Sequence, residues 1–212
     1  MTRILLADDH DVVRQGLKQI LIESIPEMHF GDAPSGREAI RLARKEPWDL
    51  VILDISLPDR SGLDVLKELR RDLPALPVLV LSMYPEEQFA VRVLRAGASG
   101  YLTKRTAAQE LVAAVRKVLA GGRYVSALVA ESLAVAVGVL PQSAADLHEA
   151  LSDREYQVFR MLAMGKTVKE IGEELFLSPQ TVSTHRVRIL TKMGMITNAE
   201  LTEYAIQAGL LT

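Results

Sequence analysis

The 212-residue sequence predicts an α/β domain built on a parallel sheet, followed by a smaller all-α domain. Two observations predict the first domain: short β-type runs alternate with segments of helical period up to about residue 121, and the runs 51–53 and 78–81 are apolar at every position. Strands covered by helices on both faces are apolar throughout, whereas strands with one wet face alternate. Four helix-start signals in close succession after residue 150 predict the second domain.

Five strand-like runs and five helical segments make up the first part of the sequence. The strands are predicted at Arg3–Ala7, His29–Ala33, Leu50–Leu53, Val78–Ser82 and Gly100–Thr103. The helices are predicted at Asp11–Glu23, Gly36–Lys45, Gly62–Asp72, Glu86–Ala96 and Ala107–Ala120. This alternation is typical of βα units around a parallel sheet.

A linker is predicted between the two domains. The apolar segment Tyr124–Leu140 is shorter than the roughly 20 residues of a membrane span and carries Glu131, so it is interpreted as a packing helix. The stretch 141–146, which is poor in large side chains, follows it. The predicted boundaries are 1–121 for the first domain, 122–147 for the linker and 148–212 for the second domain.

The second domain has four helix starts of the same kind. Ser152, Thr167 and Thr197 each stand three residues before a glutamate, which is the pattern of a capping box, and Ser178 is followed by Pro179. Three glycines stand where the first, third and fourth helices should end: Gly165, Gly194 and Gly209.

The composition narrows the possible chemistry. Hydrophobic residues make up 49% of the sequence, and Lys plus Arg (25) nearly balance Asp plus Glu (27), so any nucleic-acid contact must come from a local patch. The absence of cysteine excludes disulfides and cysteine-based zinc or redox sites. The acids at positions 8 and 9 come too early for a signal peptide, and we expect a cytoplasmic protein without a membrane segment.

Polar residues follow four of the five predicted strands. They are Asp8 and Asp9 after the first, Asp54 after the third, Ser82 at the end of the fourth and Lys104 after the fifth. Taken singly, each has a commoner structural interpretation, as a helix cap, a turn residue or a surface charge. Because parallel strands end at one edge of the sheet, where ligands bind, we expect the set to form one site.

Three carboxylates in one small site repel one another, which implies a cation, and Mg²⁺ suits oxygen ligands and phosphate. Asp54 is then placed to attack a phosphoryl group as a nucleophile, with Lys104 neutralising charge on the transferring oxygens. Ser82 could donate a hydrogen bond to the new phosphoryl oxygen. Tyr101 could turn into the space vacated when the loop after Ser82 moves inward, which would form a switch.

These residues resemble a known domain. Asp8-Asp9, Leu53–Pro58 with Gly62, Leu81-Ser82 and Tyr101–Lys104 look like the receiver domain of bacterial two-component response regulators. The resemblance implies a flavodoxin-like (βα)5 fold, Asp54 as phosphoacceptor, and Mg²⁺ bound by Asp9, Asp54 and the Ser56 carbonyl with support from Asp8. It also implies a sensor histidine kinase as partner.

The third helix of the second domain is predicted to read DNA. From Ser178 to Met193 the sequence carries Arg186, Arg188, Lys192 and His185 but no acid, whereas the preceding helix is acidic. Val182, Ile189 and Met193, with Ile171 and Leu175, can form a shared core. Helix, short turn and helix in this order predict a helix-turn-helix, in which the second helix enters the major groove. A basic helix alone is more often simply a solvated face.

The segments Leu151–Val158 and Lys169–Arg186 resemble the LuxR-type helix-turn-helix, and with the receiver they resemble the NarL/FixJ family. The resemblance implies base contacts from Ser183, Thr184 and Val187 and phosphate contacts from Thr181, His185 and Arg186; Arg188 is also predicted to face outward. Many relatives carry lysine at Gln180 and Ser183, so we expect weak monomer binding and a shallow salt dependence.

The hypothesis is a transcription regulator in which phosphate on Asp54 favours a dimer that binds promoter DNA. The last predicted helix, with Leu201, Tyr204, Ala205 and Ile206, is a candidate dimer surface, or it simply caps the core. Two other classes stay open: a phosphatase with Asp54 as nucleophile, although Ser56 stands where such enzymes usually carry an acid, and a ligand-gated LuxR-type regulator, which would need an apolar cavity.

Overall fold

The computed structural model describes residues 1–84, 86–126, 129–130 and 147–211, and the chain forms two compact units, Met1–Gly138 and Val139–Thr212. Among the described residues, no helix has the length and apolar character that a bilayer crossing demands.

Five parallel strands of the described chain form one sheet in the order β2-β1-β3-β4-β5. Their bounds are β1 Thr2–Ala7, β2 Met28–Ala33, β3 Leu50–Asp54, β4 Val78–Ser82 and β5 Gly100–Thr103. The strand order is that of the flavodoxin-like class, which confirms the predicted fold. The predicted strand bounds differ from the observed ones by at most one residue.

Helices cover both faces of this sheet. They are α1 Asp11–Ser24, α2 Gly36–Lys45, α3 Gly62–Asp72, α4 Glu86–Arg95 and α5 Ala107–Leu119. The strands β3 and β4 are buried at every residue, as their uninterrupted apolar sequences predict. One apolar layer joins Leu17 and Leu21 of α1, Leu111 and Val115 of α5, and the sheet residues that face them.

Tyr124, after α5, pairs with the outer edge of β5. Tyr124 forms a bridge with Gly100, and its backbone N–H donates to the Ser99 carbonyl (2.9 Å). Tyr124 is therefore extended and lies outside the packing helix predicted for 124–140. Most of that predicted helix lies outside the described residues, although 129 and 130 are helical.

The second unit contains a short 3-10 turn, Leu147–Ala150, and the helices α6 Asp153–Ala163, α7 Val168–Leu175, α8 Pro179–Met193 and α9 Asn198–Gln207. Ser152 and Thr167 form complete capping boxes with Glu155 and Glu170, and the Ser178 side chain caps α8, with Pro179 at the first helical position. The three glycines predicted to end helices all have positive φ angles.

The capping box predicted at Thr197 is only half formed. The Thr197 hydroxyl accepts from the Glu200 N–H, but the Glu200 carboxylate accepts from the Ile196 N–H (2.8 Å). The Glu200 side chain thus bonds to the residue before the cap, because the backbone before α9 directs the N–H of Ile196, rather than that of Thr197, toward it.

The turn between α7 and α8 depends on two backbone features. Phe176 ends α7 in the left-handed region, with φ 54°, a conformation that normally favours glycine. The Leu177 N–H donates to the Gly172 carbonyl (2.8 Å). A Cβ atom at Gly172 would lie only 2.8 Å from the Leu177 carbonyl oxygen. The absence of a side chain at Gly172 therefore lets the turn fold back on its own helix.

Candidate functional site

The polar residues predicted to form one site do lie at the carboxyl edge of the sheet. Asp8 and Asp9 follow β1, Asp54 ends β3, Ser82 ends β4 and Lys104 follows β5. Asp8 and Asp54 are each 2% exposed and Ser82 is fully buried. The site is therefore a pocket sunk into the edge rather than a cluster of solvated charges.

The three carboxylates are close together. One oxygen of each of Asp8, Asp9 and Asp54 and one ring nitrogen of His10 lie within 4.8 Å of one another. The Lys104 ammonium lies 2.7 Å from Asp54 Oδ2 and 2.7 Å from Asp8 Oδ2. Lys104 thus bridges two carboxylates that would otherwise repel each other.

Burial and charge shift the pKa values of this group. Burial raises the pKa of the Asp54 carboxyl, and the Asp8 carboxylate acts in the same direction, with partial opposition from Lys104 and the Ser56 N–H. Burial disfavours the Lys104 ammonium, but the Asp54 and Asp8 carboxylates outweigh it and raise the pKa of Lys104. Burial thus dominates at Asp54, whereas the two neighbouring carboxylates dominate at Lys104.

The donor set of this pocket fits a hard divalent cation. Asp8 Oδ2 and Asp9 Oδ1 are buried and accept no hydrogen bond with good geometry, although Lys104 and the His10 ring nitrogen stand near them. Carboxylate and carbonyl oxygens are the ligands that Mg²⁺ prefers. The acidic cluster of this pocket is thus suited to Mg²⁺ by its chemistry.

Two further residues, Arg14 and His10, contact this edge, and the sequence patterns did not predict either contact. The Arg14 guanidinium donates to the Asp8 carbonyl (2.5 Å) and to Asp11 (2.9 Å), which fixes the backbone of the acidic pair. His10 donates its backbone N–H to Asp8 Oδ1 (2.8 Å), and its ring reaches Asp9. For His10 the sequence offers one indication, its position directly after the acidic pair. For Arg14 the sequence offers no indication, because its contact depends on the direction in which α1 leaves the sheet.

The loop from β3 to α3 begins at Asp54 and returns tightly to it. The Ser56 N–H donates to Asp54 Oδ1 (3.0 Å), Ser56 pairs with Ser61, and the Gly62 N–H donates to the Ile55 carbonyl (2.8 Å). A Cβ atom at Gly62 would lie 2.1 Å from the Asp54 carbonyl oxygen. Only glycine lets α3 start this close to Asp54.

Ser82 and Tyr101 are connected through the backbone of Tyr84. The Ser82 hydroxyl accepts from the Tyr84 N–H (3.1 Å), and the Tyr101 hydroxyl donates to the Tyr84 carbonyl (2.7 Å). Tyr101 is 1% exposed, and burial raises the pKa of its phenol. The ring predicted to turn inward on switching is already inside the protein here.

In the second unit, α8 presents the face predicted for DNA. Val182, Ile189 and Met193 are buried with Ile171 and Leu175 of α7, as the predicted shared core requires. The opposite residues of α8 are exposed: Gln180, Thr181, Ser183, Thr184, Val187 and Arg188. The two helices and the turn between them therefore have the arrangement of a helix-turn-helix.

The cations of α8 are less free than their sequence pattern indicates. Arg186 donates to Asn198 Oδ1 at the start of α9 (2.7 Å), and Lys192 donates to Glu155 Oε2 at the start of α6 (2.6 Å). His185 is half-buried, and burial, with Arg154 and Arg188 nearby, lowers its pKa. Within the described residues, Arg188 alone among these side chains is exposed and forms no ion pair.

Glu155 is the residue through which α6 and α8 are tied together. Its carboxylate accepts from the Ser152 N–H (2.8 Å) and from Lys192, and the residue is 3% exposed. Burial acts to raise its pKa, but Lys192 and Ser152 outweigh burial and lower it below its usual 4.5.

The comparisons with known proteins divide the chain at the same two units. Residues 4–116 match the response regulator receiver domain, and residues 149–205 match the bacterial regulatory proteins of the luxR family. The chain belongs to the response regulators. The two matches together confirm the predicted combination of the NarL/FixJ type, and the chain is a regulator of transcription.

Several relatives match along nearly their whole length. Response regulator UvrY of Escherichia coli (strain K12) is 35% identical over 99% of this chain and 96% of its own, and response regulator GacA of Pseudomonas aeruginosa is 36% identical over 100% and 98%. A solved structure of two RcsB dimers bound to two parallel DNAs is 25% identical, with a TM-score of 0.59 over 100% of this chain and 99% of that one.

We expect Gly62→Ala to destabilise the receiver domain of this response regulator by about 1–3 kcal/mol, the usual cost of forcing extra atoms into a packed site. The new methyl would meet the Asp54 carbonyl oxygen, and backbone there has to shift. Urea unfolding followed by Trp48 fluorescence measures this, because the chain's single tryptophan lies in the receiver. The control is Gly16→Ala, where the added Cβ would meet nothing within 4 Å apart from its chain neighbours and the backbone of its own helix. Equal stability of the two variants would contradict the close approach.

We expect the DNA-binding domain to lose stability in acid through Glu155. A carboxyl whose folded pKa is lowered stabilises the fold above its unfolded value, near 4.5, and loses this contribution as the pH falls through the lower folded value. The loss should be about 1 kcal/mol, measured by urea unfolding at pH 3–7 with the NMR signals of this domain. Glu155→Gln should flatten the profile, whereas the exposed Glu173→Gln should leave its shape intact.

Proposed function

We propose that phosphorylation of Asp54 by a sensor histidine kinase switches this regulator to a dimer that binds promoter DNA. The observation that carries the proposal is the pocket itself: a buried carboxylate, 2.7 Å from an ammonium, beside two further acids at the carboxyl edge of a parallel sheet. That edge is where such folds bind ligands.

Asp54 acts as the nucleophile. One of its carboxylate oxygens attacks the phosphorus of a phosphohistidine, a P–O bond forms, and the P–N bond breaks with its electron pair left on the imidazole. Lys104, held between Asp54 and Asp8, stabilises negative charge on the phosphoryl oxygens. Asp9, Asp54 and the Ser56 carbonyl, with Asp8 in support, would hold Mg²⁺, which when bound neutralises part of the charge of the phosphoryl group.

The switch runs through Ser82. Its hydroxyl now accepts from the Tyr84 N–H, and Tyr84 in turn holds the Tyr101 hydroxyl. When Ser82 donates a hydrogen bond to the phosphoryl group, its contact with the Tyr84 N–H changes. The Tyr84 carbonyl then moves, and with it the partner of the Tyr101 hydroxyl. The Tyr101 N–H faces the Tyr124 carbonyl (3.4 Å), so the chain that leaves the receiver is in contact with the switch residue.

The DNA-binding half of the proposal rests on α8. In this proposal Ser183, Thr184 and Val187 contact bases, and Thr181, His185, Arg186 and Arg188 contact phosphates. Arg186 is bound to Asn198 and His185 is half-buried, so a single copy neutralises few phosphates and binds weakly. Two copies on two half-sites compensate for this, and the dimers in the RcsB–DNA structure support that view.

The last helix offers only part of the dimer surface anticipated from the sequence. Leu201 and Ala205 are buried in the domain, and Tyr204 is hydrogen-bonded to His148 (2.7 Å). Ile206 is 61% exposed and lines an open cavity with Thr202 and Glu203. We therefore place Ile206, rather than the whole apolar set, at a contact between two copies.

The phospho-switch is tested with Asp54→Asn. We expect acetyl phosphate with Mg²⁺ to add one phosphoryl group to the full chain and to raise the dimer fraction and affinity for a duplex selected from a random pool, and we expect Asp54→Asn to abolish all three responses. Asp49→Asn makes the same change just before β3, at the opposite edge of the sheet, and should respond like the unmodified chain. Equal DNA binding by all three proteins, with and without phosphodonor, would sink the proposal.

The free and engaged cations of α8 should behave differently. Arg188→Gln should weaken binding to every duplex and reduce the slope of log affinity against log salt by about 1, since one phosphate contact is lost. Lys192→Gln removes the same charge from the same helix, but Lys192 is bound to Glu155, so its main effect should be on stability. Fluorescence anisotropy over a salt series separates them, and identical slope changes would refute the assignment.

A further inference from the structure

Asp59 lies at the tip of the loop that follows Asp54, and its side chain contacts a different helix. Its Oδ1 accepts from the Gly36 N–H (2.8 Å) and its Oδ2 from the Arg37 N–H (3.0 Å). These are the first two N–H groups of α2, which have no partner inside their own helix. Negative charge is also favourable at a helix N-terminus.

The neighbouring cap of the same helix is local. The Ser35 hydroxyl accepts from the Glu38 N–H (3.2 Å), so the third N–H of α2 is satisfied without the loop. The N-terminus of α2 thus has two caps, one from its own segment and one from the loop at the acidic pocket. This pair allows the structural role of capping to be separated from any role in the pocket.

Arg60 attaches the same loop tip to the rest of the protein. Its side-chain carbons lie so close to Gly36 that a Cβ there would be 2.6 Å away, and its guanidinium donates to Glu68 of α3 (2.8 Å). Two consecutive residues of the loop are therefore fixed on helices outside it. At the base of the loop, Ser56 donates its N–H to Asp54.

We propose that Asp59 is a positioning residue for the acidic pocket: by holding the loop tip on α2 it fixes the Ser56 carbonyl and the Asp54 carboxylate for a divalent cation. This inference rests on the proposed function, in which Ser56 and Asp54 hold Mg²⁺. Groups that orient ligands from outside are needed because ligand geometry tolerates only small displacements. Among the described residues, the polar contacts of Asp59 are with Gly36 and Arg37 of α2 rather than with the acids of the pocket, so it acts through the loop.

The test compares Asp59→Ala, Asp59→Asn and Ser35→Ala in the full chain. Titration with MgCl₂ alone, followed by the amide NMR shifts of the receiver, gives the dissociation constant without any phosphodonor. Asp59→Ala should raise it about tenfold, at the lower end of what removing an outer partner of a ligand costs, and Asp59→Asn, which keeps one oxygen, should raise it less. Ser35→Ala should lower the unfolding temperature to a similar extent but leave the constant within about twofold.

Phosphorylation by acetyl phosphate gives a second measurement. For Asp59→Ala the Mg²⁺ concentration at half-maximal rate should rise by the same factor, whereas the rate at saturating Mg²⁺ should stay close to that of the unmodified chain. An unchanged Mg²⁺ constant for Asp59→Ala, or an equal rise for Ser35→Ala, would overturn the proposal. If the unmodified chain takes up no phosphoryl group but Asp59→Ala still weakens Mg²⁺ binding, the proposed function fails and the role of Asp59 stands.

Discussion

Mutual repulsion of three carboxylates at one edge of the sheet is the constraint around which the receiver is built. Asp8 and Asp54 are almost fully buried, and burying unpaired charge is expensive. The Lys104 ammonium relieves part of this by contacting both, which the raised pKa of Lys104 reflects. The relief is incomplete, because three carboxylates meet here and one ammonium contacts only two of them. Further positive charge would stabilise these carboxylates, and a bound cation is the simplest source of it.

Several contacts fix the backbone that carries these acids. Arg14 holds the Asp8 carbonyl, and Gly62 lets α3 begin against the Asp54 carbonyl. Asp59 adds a contact to a helix that has no other part in the chemistry. Each of these contacts comes from a different element, so the packing of several elements of the domain keeps the three acids close together.

The parts of this structure that were predictable from the sequence are those set by local pattern. Uninterrupted apolar runs such as 51–53 gave β3 and β4, and the rule that parallel strands end at one edge placed Asp54 near Lys104 although 50 residues separate them. Helix caps were equally readable at Ser152 and Thr167. The cap at Thr197 was only partly predictable. The Glu200 carboxylate accepts from the Ile196 N–H instead of the Thr197 N–H, and this choice depends on the backbone before the helix. Contacts such as Asp59 with α2 and Lys192 with Glu155 join elements whose relative placement no short-range pattern specifies.

Part of the positive charge of α8 is used inside its own domain. A run of cations without acids looks like a surface prepared for phosphates, yet Lys192 is bound to the capping box of α6 and Arg186 to Asn198. Part of the positive charge of α8 thus fixes the helix in its own domain, and only the remainder is available to DNA. A DNA-binding domain with so few free cations gains little non-specific affinity for DNA, since that affinity scales with the number of phosphates neutralised. In the proposed function, two copies on two half-sites supply the affinity that one copy lacks, and phosphate on Asp54 controls how the two copies join.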